Sequence, residues 1–310
     1  MNAHRLSAYL MLLAVSVIWG VAGPVIKFTL GEFPPLIFLS YRFAISSVIA
    51  LVYFSTTNNR LPTKSKDVSL VALYSLLAVS IGLGLLFFGF DKTTSLTGSL
   101  LTAMSPIAIV AAGALFLRDH VTGREKIGIT LAFVGTLITV VAPLFNGHAG
   151  DFLGSIEGNG LIVASILVDT IATLLVKVIM RSRISAETLT HVSFVVGFLT
   201  IVPLGLFFHS WKTIIATVTN ASLLSHAGVW YMAIVSGTLA YTLRNKAVKT
   251  IEVSEASIFS YLYPLWAAPL AVLWLGESIT LPFLIGAGVI AVGVGVAEWK
   301  KRSKRGKIRL

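Results

Sequence analysis

Residues 97–140 and 255–298 are one helical pair written twice. A shift of 158 positions lays one stretch over the other without a gap. Ser99 falls on Ser257, Pro106 on Pro264, Leu117 on Leu275, Asp119 on Glu277, Gly128 on Gly286 and Gly135 on Gly293. Each copy holds two apolar runs on either side of a short turn. A chain that repeats so apolar a unit needs an apolar solvent. Its composition agrees: 310 residues are 56% hydrophobic and only 12% charged, about half the roughly 25% charge usual in soluble domains. Mean hydropathy is +0.89. The expected class is an all-α polytopic membrane protein.

A bilayer span needs about 20 apolar residues. Ten stretches meet or approach that length: 7–28, 34–54, 68–90, 96–117, 125–144, 158–180, 187–208, 227–243, 255–275 and 281–297. Only helices and closed barrels satisfy their backbone polar groups in lipid, and runs this continuous exclude barrel strands. Placing the N-terminus inside assigns 19 of the 24 Lys and Arg to inner segments and leaves only Lys92 and Lys212 in outer loops. By the positive-inside rule, both termini are expected in the cytoplasm. Arg5 is followed by a long apolar run without a small-residue cleavage pattern, which reads as a first span.

Five spans are an odd number, so the second half enters the membrane upside down. The expected architecture is ten transmembrane helices as two inverted five-helix repeats, 1–145 and 158–298. A Gly-rich outer linker (146–157) joins them, and a basic cytoplasmic tail (299–310) follows. Residues 209–225 are too polar to span and read as an interfacial segment. Inverted repeats hold substrates near the bilayer midplane at the repeat interface in many secondary transporters. They also build some channels, so a channel or passive facilitator is the alternative.

A few residues stand out against the apolar background. Arg42 lies about 12 Å into its span and Asp169 about 16 Å. Intramembrane charges mark a substrate pathway or a buried pair, so Arg42 is a candidate for a substrate carboxylate. Asp169 could carry protons, neutralise an amine, or pair with Arg42 or Lys177. Lys27 and Lys177 match at an offset of 150 and would stand at opposite gates, or snorkel to headgroups. His191, near a span end, fits proton relay or headgroup contact. Trp19, Tyr41, Tyr241, Tyr263 and Trp266 include aromatics too deep for an interfacial belt; they line a pocket or pack helices together. Pro106 and Pro264 interrupt helices at matching places and are candidate flexing points. The paired glycines read as close packing faces. Asp119 and Glu277 read as helix-terminus acids.

Other classes are excluded. The net charge of +11 is spread between apolar runs and over the tail, so nucleic acid is not an expected partner. HExxH, P-loop, GxSxG and His/Cys cluster patterns are missing, so no enzyme, metal or cofactor is expected. Cysteine is absent. The expected partners are a small-molecule substrate, the lipid bilayer and protons as a coupling ion, with the chain a monomer or homodimer.

Ile18-Trp19-Gly20 in the first span, Arg42 in the second, and Pro264, Leu275-Gly276-Glu277, Gly286 and Gly293 near the end together resemble an EamA-type member of the drug/metabolite transporter superfamily. The resemblance covers nearly the whole chain. The first half departs from it, with Arg118-Asp119 where Gly-Glu is usual. The resemblance implies a ten-helix transporter whose central cavity is lined by the first four helices of each half, with the fifth and tenth outside. Members move amino acids, other small metabolites, nucleotide sugars or drugs, and many prokaryotic ones export. The expected function is export of a small amphipathic metabolite, amino acids and relatives first, across a prokaryotic inner membrane by alternating access.

Overall fold

The computed structural model describes residues 3–57, 61–116, 123–141, 154–182, 184–251, 256 and 258–298. Arg118, Asp119, residues 146–153 of the linker, Glu255 and the 299–310 tail lie outside them. The described residues are helical and contain no strand. In order the helices are α1 (Ala3–Leu30), α2 (Pro35–Thr56), α3 (Ser65–Lys92), α4 (Ser95–Thr102), α5 (Ser105–Phe116) and α6 (Gly123–Val141). Then come α7 (Ile156–Met180), α8 (Ala186–Phe208), α9 (Trp211–Asn220), α10 (Leu223–Thr250), α11 (Tyr263–Leu273) and α12 (Leu281–Glu298).

Six of these, α1, α2, α3, α7, α8 and α10, are long and apolar enough to cross a bilayer. The apolar stretches Ser95–Ile109, Lys126–Thr139, Ile258–Leu273 and Leu281–Gly293 are shorter. Large apolar side chains such as Leu51, Leu199, Phe133 and Leu284 stay exposed on the outer surface. Such a girdle is far beyond what a soluble monomer presents, and it identifies an integral membrane protein. The short helix α9 has no buried residue, in keeping with an interfacial segment.

Local chemistry explains the helix ends. Thr94, Ser155, Ser185, Ser210 and Ser222 each accept a hydrogen bond from the backbone N–H three residues on, the usual way to satisfy a first turn. After α11, Gly276 adopts φ +67°. The Glu277 N–H then returns to the Ala271 carbonyl at 3.0 Å, a left-handed glycine closure of the helix C-terminus.

Two expected kinks differ in detail. The chain turns at Ala103–Met104, and α5 begins at Ser105, so Pro106 sits in the first turn of the second piece. Likewise a 3₁₀ stretch, Ile258–Leu262, precedes α11, and Pro264 lies in its first turn. Proline is tolerated there because no intrahelical N–H bond is due. Each proline therefore starts a helix after a break; it does not bend a continuous one.

Two further irregularities carry no proline. Ser75–Gly82 in α3 and Tyr231–Leu239 in α10 are wound as π-helix. Each contains a glycine, Gly82 or Gly237, whose added Cβ would stand 2.9 Å from the carbonyl five residues back, Leu77 or Met232. The two glycines are 155 positions apart.

The packing pairs elements far apart in sequence. α2 lies on α8, the end of α3 on α7, α1 on the end of α10 and on α11, α4 on α11, and α6 on α12. The α6–α12 contact is made by the expected glycines. A Cβ on Gly135 would lie 2.8 Å from Ile290, and one on Gly293 2.8 Å from the Gly128 carbonyl.

One end of the bundle is tied by polar contacts. Lys27 donates to the carbonyls of Phe90 and Asp91, both at 3.1 Å, neutralising the C-terminus of α3. Lys92 pairs with Glu157. Glu277 does act at a helix N-terminus, but of α4, not of the following α12. Its two oxygens accept from the Ser95 and Leu96 N–H groups at 2.7 and 2.8 Å. Glu32 accepts from the Ser222 N–H at 2.6 Å and from its hydroxyl at 2.7 Å. At the other end Lys246 pairs with Glu187 at 2.5 Å.

Two outcomes follow from these ties. Glu277→Ala is expected to lower stability by about 1–2 kcal/mol, the worth of a lost N-terminal cap, read as a lower thermal midpoint in detergent; an unchanged midpoint refutes the tie. The Ser222 N–H and hydroxyl hold the Glu32 carboxyl below the usual glutamate range. A depressed acid contributes stability above its unfolded value and loses it as pH falls through the folded one. The midpoint gap between wild type and Glu32→Gln should thus be full above about pH 4.3 and close below it, as thermal melts across pH would register.

Candidate functional site

The Ile18-Trp19-Gly20 run is where α1 is fastened. The Tyr231 hydroxyl donates to the Ile18 carbonyl at 2.7 Å, and the Trp19 indole N–H donates to the Ser236 carbonyl at 3.0 Å. Both partners lie in the π-helical part of α10. A Cβ on Gly20 would fall 2.6 Å from Trp266 Cβ, so glycine lets α1 and α11 meet. The Trp19 ring stands edge-on to Tyr241 at 5.1 Å and to Tyr263 at 6.4 Å. The Arg244 guanidinium lies 5.9 Å from its ring centre.

Beside Trp19 is a cavity of about 160 Å³. Residues of α1, α2, α3, α4, α5, α7, α10 and α11 line it, together with Phe259 and Ser260 of the 3₁₀ stretch. Among the described residues neither α6 nor α12 contributes, as the resemblance implied. α8, which the resemblance put on the wall, stands behind it instead. Its Phe194 packs against Phe43 and Tyr241, and Tyr241 faces the cavity.

Five of the expected site residues meet on this wall: Trp19, Arg42, Asp169, Tyr241 and Tyr263. Arg42 is only 1% exposed. Its Cζ sits 5.6 to 5.9 Å from the rings of Phe43, Phe87 and Phe194. Desolvated cation–π contacts reach about 2 kcal/mol each, enough together to offset much of the several kcal/mol lost when an ion leaves water. Among the described residues no acceptor reaches its Nε or Nη1.

Asp169 is placed differently. Its Oδ2 accepts from the Thr173 hydroxyl at 3.5 Å, and that hydroxyl accepts from Arg244 Nη2 at 2.5 Å. Arg244 also feels the Asp169 charge through space. Among the described residues the cation linked to this acid is Arg244, through the Thr173 hydroxyl.

Arg244 escaped the sequence reading, which counted it with the inner-loop cations. The helix runs on to Thr250, and Tyr241, Arg244 and Val248 share one face at i, i+3 and i+7. That spacing was the available signal. The π-helical turns left only a glycine in each half as a trace.

The other expected residues stand apart from the cavity. Tyr41 hydrogen-bonds His226 Nδ1 at 3.3 Å and accepts from the Trp230 indole at 3.2 Å. Trp266 backs the wall by donating to Ser16 Oγ at 3.3 Å. Lys177 is in the last turn of α7. His191 is buried and stacks on Tyr53 at 4.2 Å, its Nδ1 without a hydrogen-bond partner among the described residues. Pro106 and Pro264 adjoin lining residues Ser105 and Tyr263.

The geometry is that of a small central chamber with cations, one acid and aromatic walls, and comparison with known proteins assigns it a family. The model of the EamA-like transporter family matches residues 6–141 and again 156–298. The chain is 27% identical to the uncharacterised transporter YetK of Bacillus subtilis (strain 168), over 96% of this chain and 88% of that one. It is 23% identical, over 97% of both, to a probable terminal-alkyne amino-acid exporter of Streptantibioticus cattleyicolor. A crystal structure superposes with a TM-score of 0.67 at 15% identity, covering 97% of this chain and 99% of the other; at that identity the likeness concerns the fold alone. The chain belongs to the EamA-like transporter family, whose unit it carries twice.

Proposed function

We propose that this transporter is a secondary carrier that exports a small amphipathic metabolite, amino acids and their relatives first, by alternating access. The observation that carries the reading is the chamber itself. It combines Arg42, Asp169 and Arg244 with Trp19, Tyr241 and Tyr263, drawn from both copies of the family unit. A site with a few placed polar groups among aromatic walls suits a small solute with a charged head and an apolar body. The relative named as a probable amino-acid exporter points the same way.

In this reading the ten apolar stretches form two inverted five-helix repeats, residues 1–145 and 158–298, with both termini in the cytoplasm of a prokaryotic cell. The helix pairing supports it. Exchanging the halves turns the α1–α10 contact into the α7–α3 contact and the α4–α11 contact into that of the 3₁₀ stretch with α5, and leaves α2–α8 and α6–α12 as they are. The matched π-helical turns obey the same exchange. Two such halves can swap conformations and expose the site to each side in turn. Pro106 and Pro264, each at the start of a helix beside the chamber, are the flexing points. Lys27, Lys177 and His191 lie towards the ends, where gates would close. Asp169, with Thr173 and Arg244, is the proton-coupling group.

Three measurements test this. Proteoliposomes given a panel of amino acids under an imposed proton gradient should show saturable flux and counterflow for at least one. Flux without saturation or counterflow would favour a channel, and no flux for the whole panel ends the substrate assignment. Asp169→Asn should abolish the dependence on the gradient; an unchanged dependence removes Asp169 from coupling. Arg244→Gln takes away a charged hydrogen bond worth about 1.5–3 kcal/mol, so flux should fall by roughly tenfold or more, and wild-type flux would take Arg244 out of the pathway.

A further inference from the structure

The chamber wall carries two guanidinium groups, Arg42 and Arg244, against one carboxylate, Asp169. They are not equivalent. Arg244 is occupied: it donates to Thr173, which donates to Asp169, and it lies over Trp19. Arg42 has none of these. It is buried, it lines the chamber, and three phenylalanine rings hold it. Rings offer a cation their π faces but no lone pairs, so they leave the N–H edge of the guanidinium unused. Two of its nitrogens, Nε and Nη1, accordingly lack an acceptor among the described residues. A buried charge with unmet donors is costly until an anion arrives.

Resting on the carrier reading above, we propose that Arg42 is the carboxylate-binding subsite of the chamber. The cargo is then a small organic acid whose carboxylate is obligatory and whose amino group, where it has one, is dispensable. The guanidinium fork matches two carboxylate oxygens, and one bound monoanion cancels the single uncompensated charge of the wall. Asp169 is linked to Arg244 through the Thr173 hydroxyl, so among the described residues of the wall it is less available to an ammonium than Arg42 is to a carboxylate. Phe87, Phe90, Trp19 and Tyr263 on the same wall receive the apolar body.

The test is a ligand-dependent thermal shift on the purified full chain in detergent. The probes are 3-phenylpropionate, its amide, phenylalanine, 2-phenylethylamine and sodium phosphate at equal concentration. Binding to the folded state raises the midpoint. The acid and phenylalanine should raise it; the amide, the amine and phosphate should not. Arg42→Met should lose the shift with the acid while its own midpoint, freed of an unpaired buried charge, does not fall. Arg42→Lys should keep a weaker shift. An amide or phosphate that shifts the midpoint as far as the acid overturns the proposal, as does a full acid shift in Arg42→Met. The acid-against-amide comparison on wild type decides the matter even where a variant does not fold. Binding of 3-phenylpropionate without flux of any amino acid would support the subsite and retire amino acids as cargo. Amino-acid flux that survives Arg42→Met would retire the subsite and leave the carrier reading in place.

Discussion

The centre of this molecule depends on the Trp19 indole reaching the Ser236 carbonyl. In hydrocarbon every backbone polar group must find its partner inside the protein, and a carbonyl in a regular helix already spends one lone pair on its own ladder. The π-helical part of α10 departs from that ladder, and side chains of other helices reach its carbonyls: Trp19 at Ser236 and Ser46 at Ala233. In return Tyr231, at the start of the same stretch, donates to Ile18. The exchange holds α1 at a fixed height against α10. Trp19 is thereby set between Tyr241, Tyr263 and Arg244, with its flank on the chamber. π-Helical insertions are frequent at functional sites, and here the reason is mechanical: the irregular turn positions the wall.

The charges of the wall are separated by environment more than by distance along the chain. Arg42 is embraced by rings, and its Nε and Nη1 have no acceptor among the described residues; Arg244 is given a hydroxyl, an acid beyond it and an indole face. Two guanidinium groups of identical chemistry therefore sit in different surroundings, one with two nitrogens lacking an acceptor among the described residues and one hydrogen-bonded. That asymmetry, and not the mere presence of cations and an acid, shapes what the chamber can hold.

Much of this was legible in the sequence because membrane helices announce themselves by length, and duplication by register. The apolar runs, the glycine faces of α6 and α12, and the depth of Arg42, Asp169 and Trp19 all followed from counting along the chain. Arg244 did not, because charge density at the end of an apolar run looks like a loop, while the helix carries on to Thr250, nearly two turns further. Glu277 was recognised as a helix-terminus acid but assigned to its neighbour in sequence. Its real partner, α4, lies some 180 residues upstream, a contact that only the fold creates. Pro106 and Pro264 were legible as breaks, yet the break falls ahead of each proline, because the ring has no N–H to give the preceding turn and crowds its carbonyl.

The bond from Glu277 to Ser95 and Leu96 joins the second copy of the family unit to the first. It acts at the end where Lys27, Glu32 and Lys92 also make their contacts. In the carrier reading, a form open at this end would give up that bond. At about 1–2 kcal/mol for a lost cap, the bond by itself weights the joined form over such an open one by roughly five- to thirtyfold. A single carboxylate outside the chamber would thus be one term in the resting balance of the bundle, and cargo that opened this end would have to offset it through its own preference for the open form.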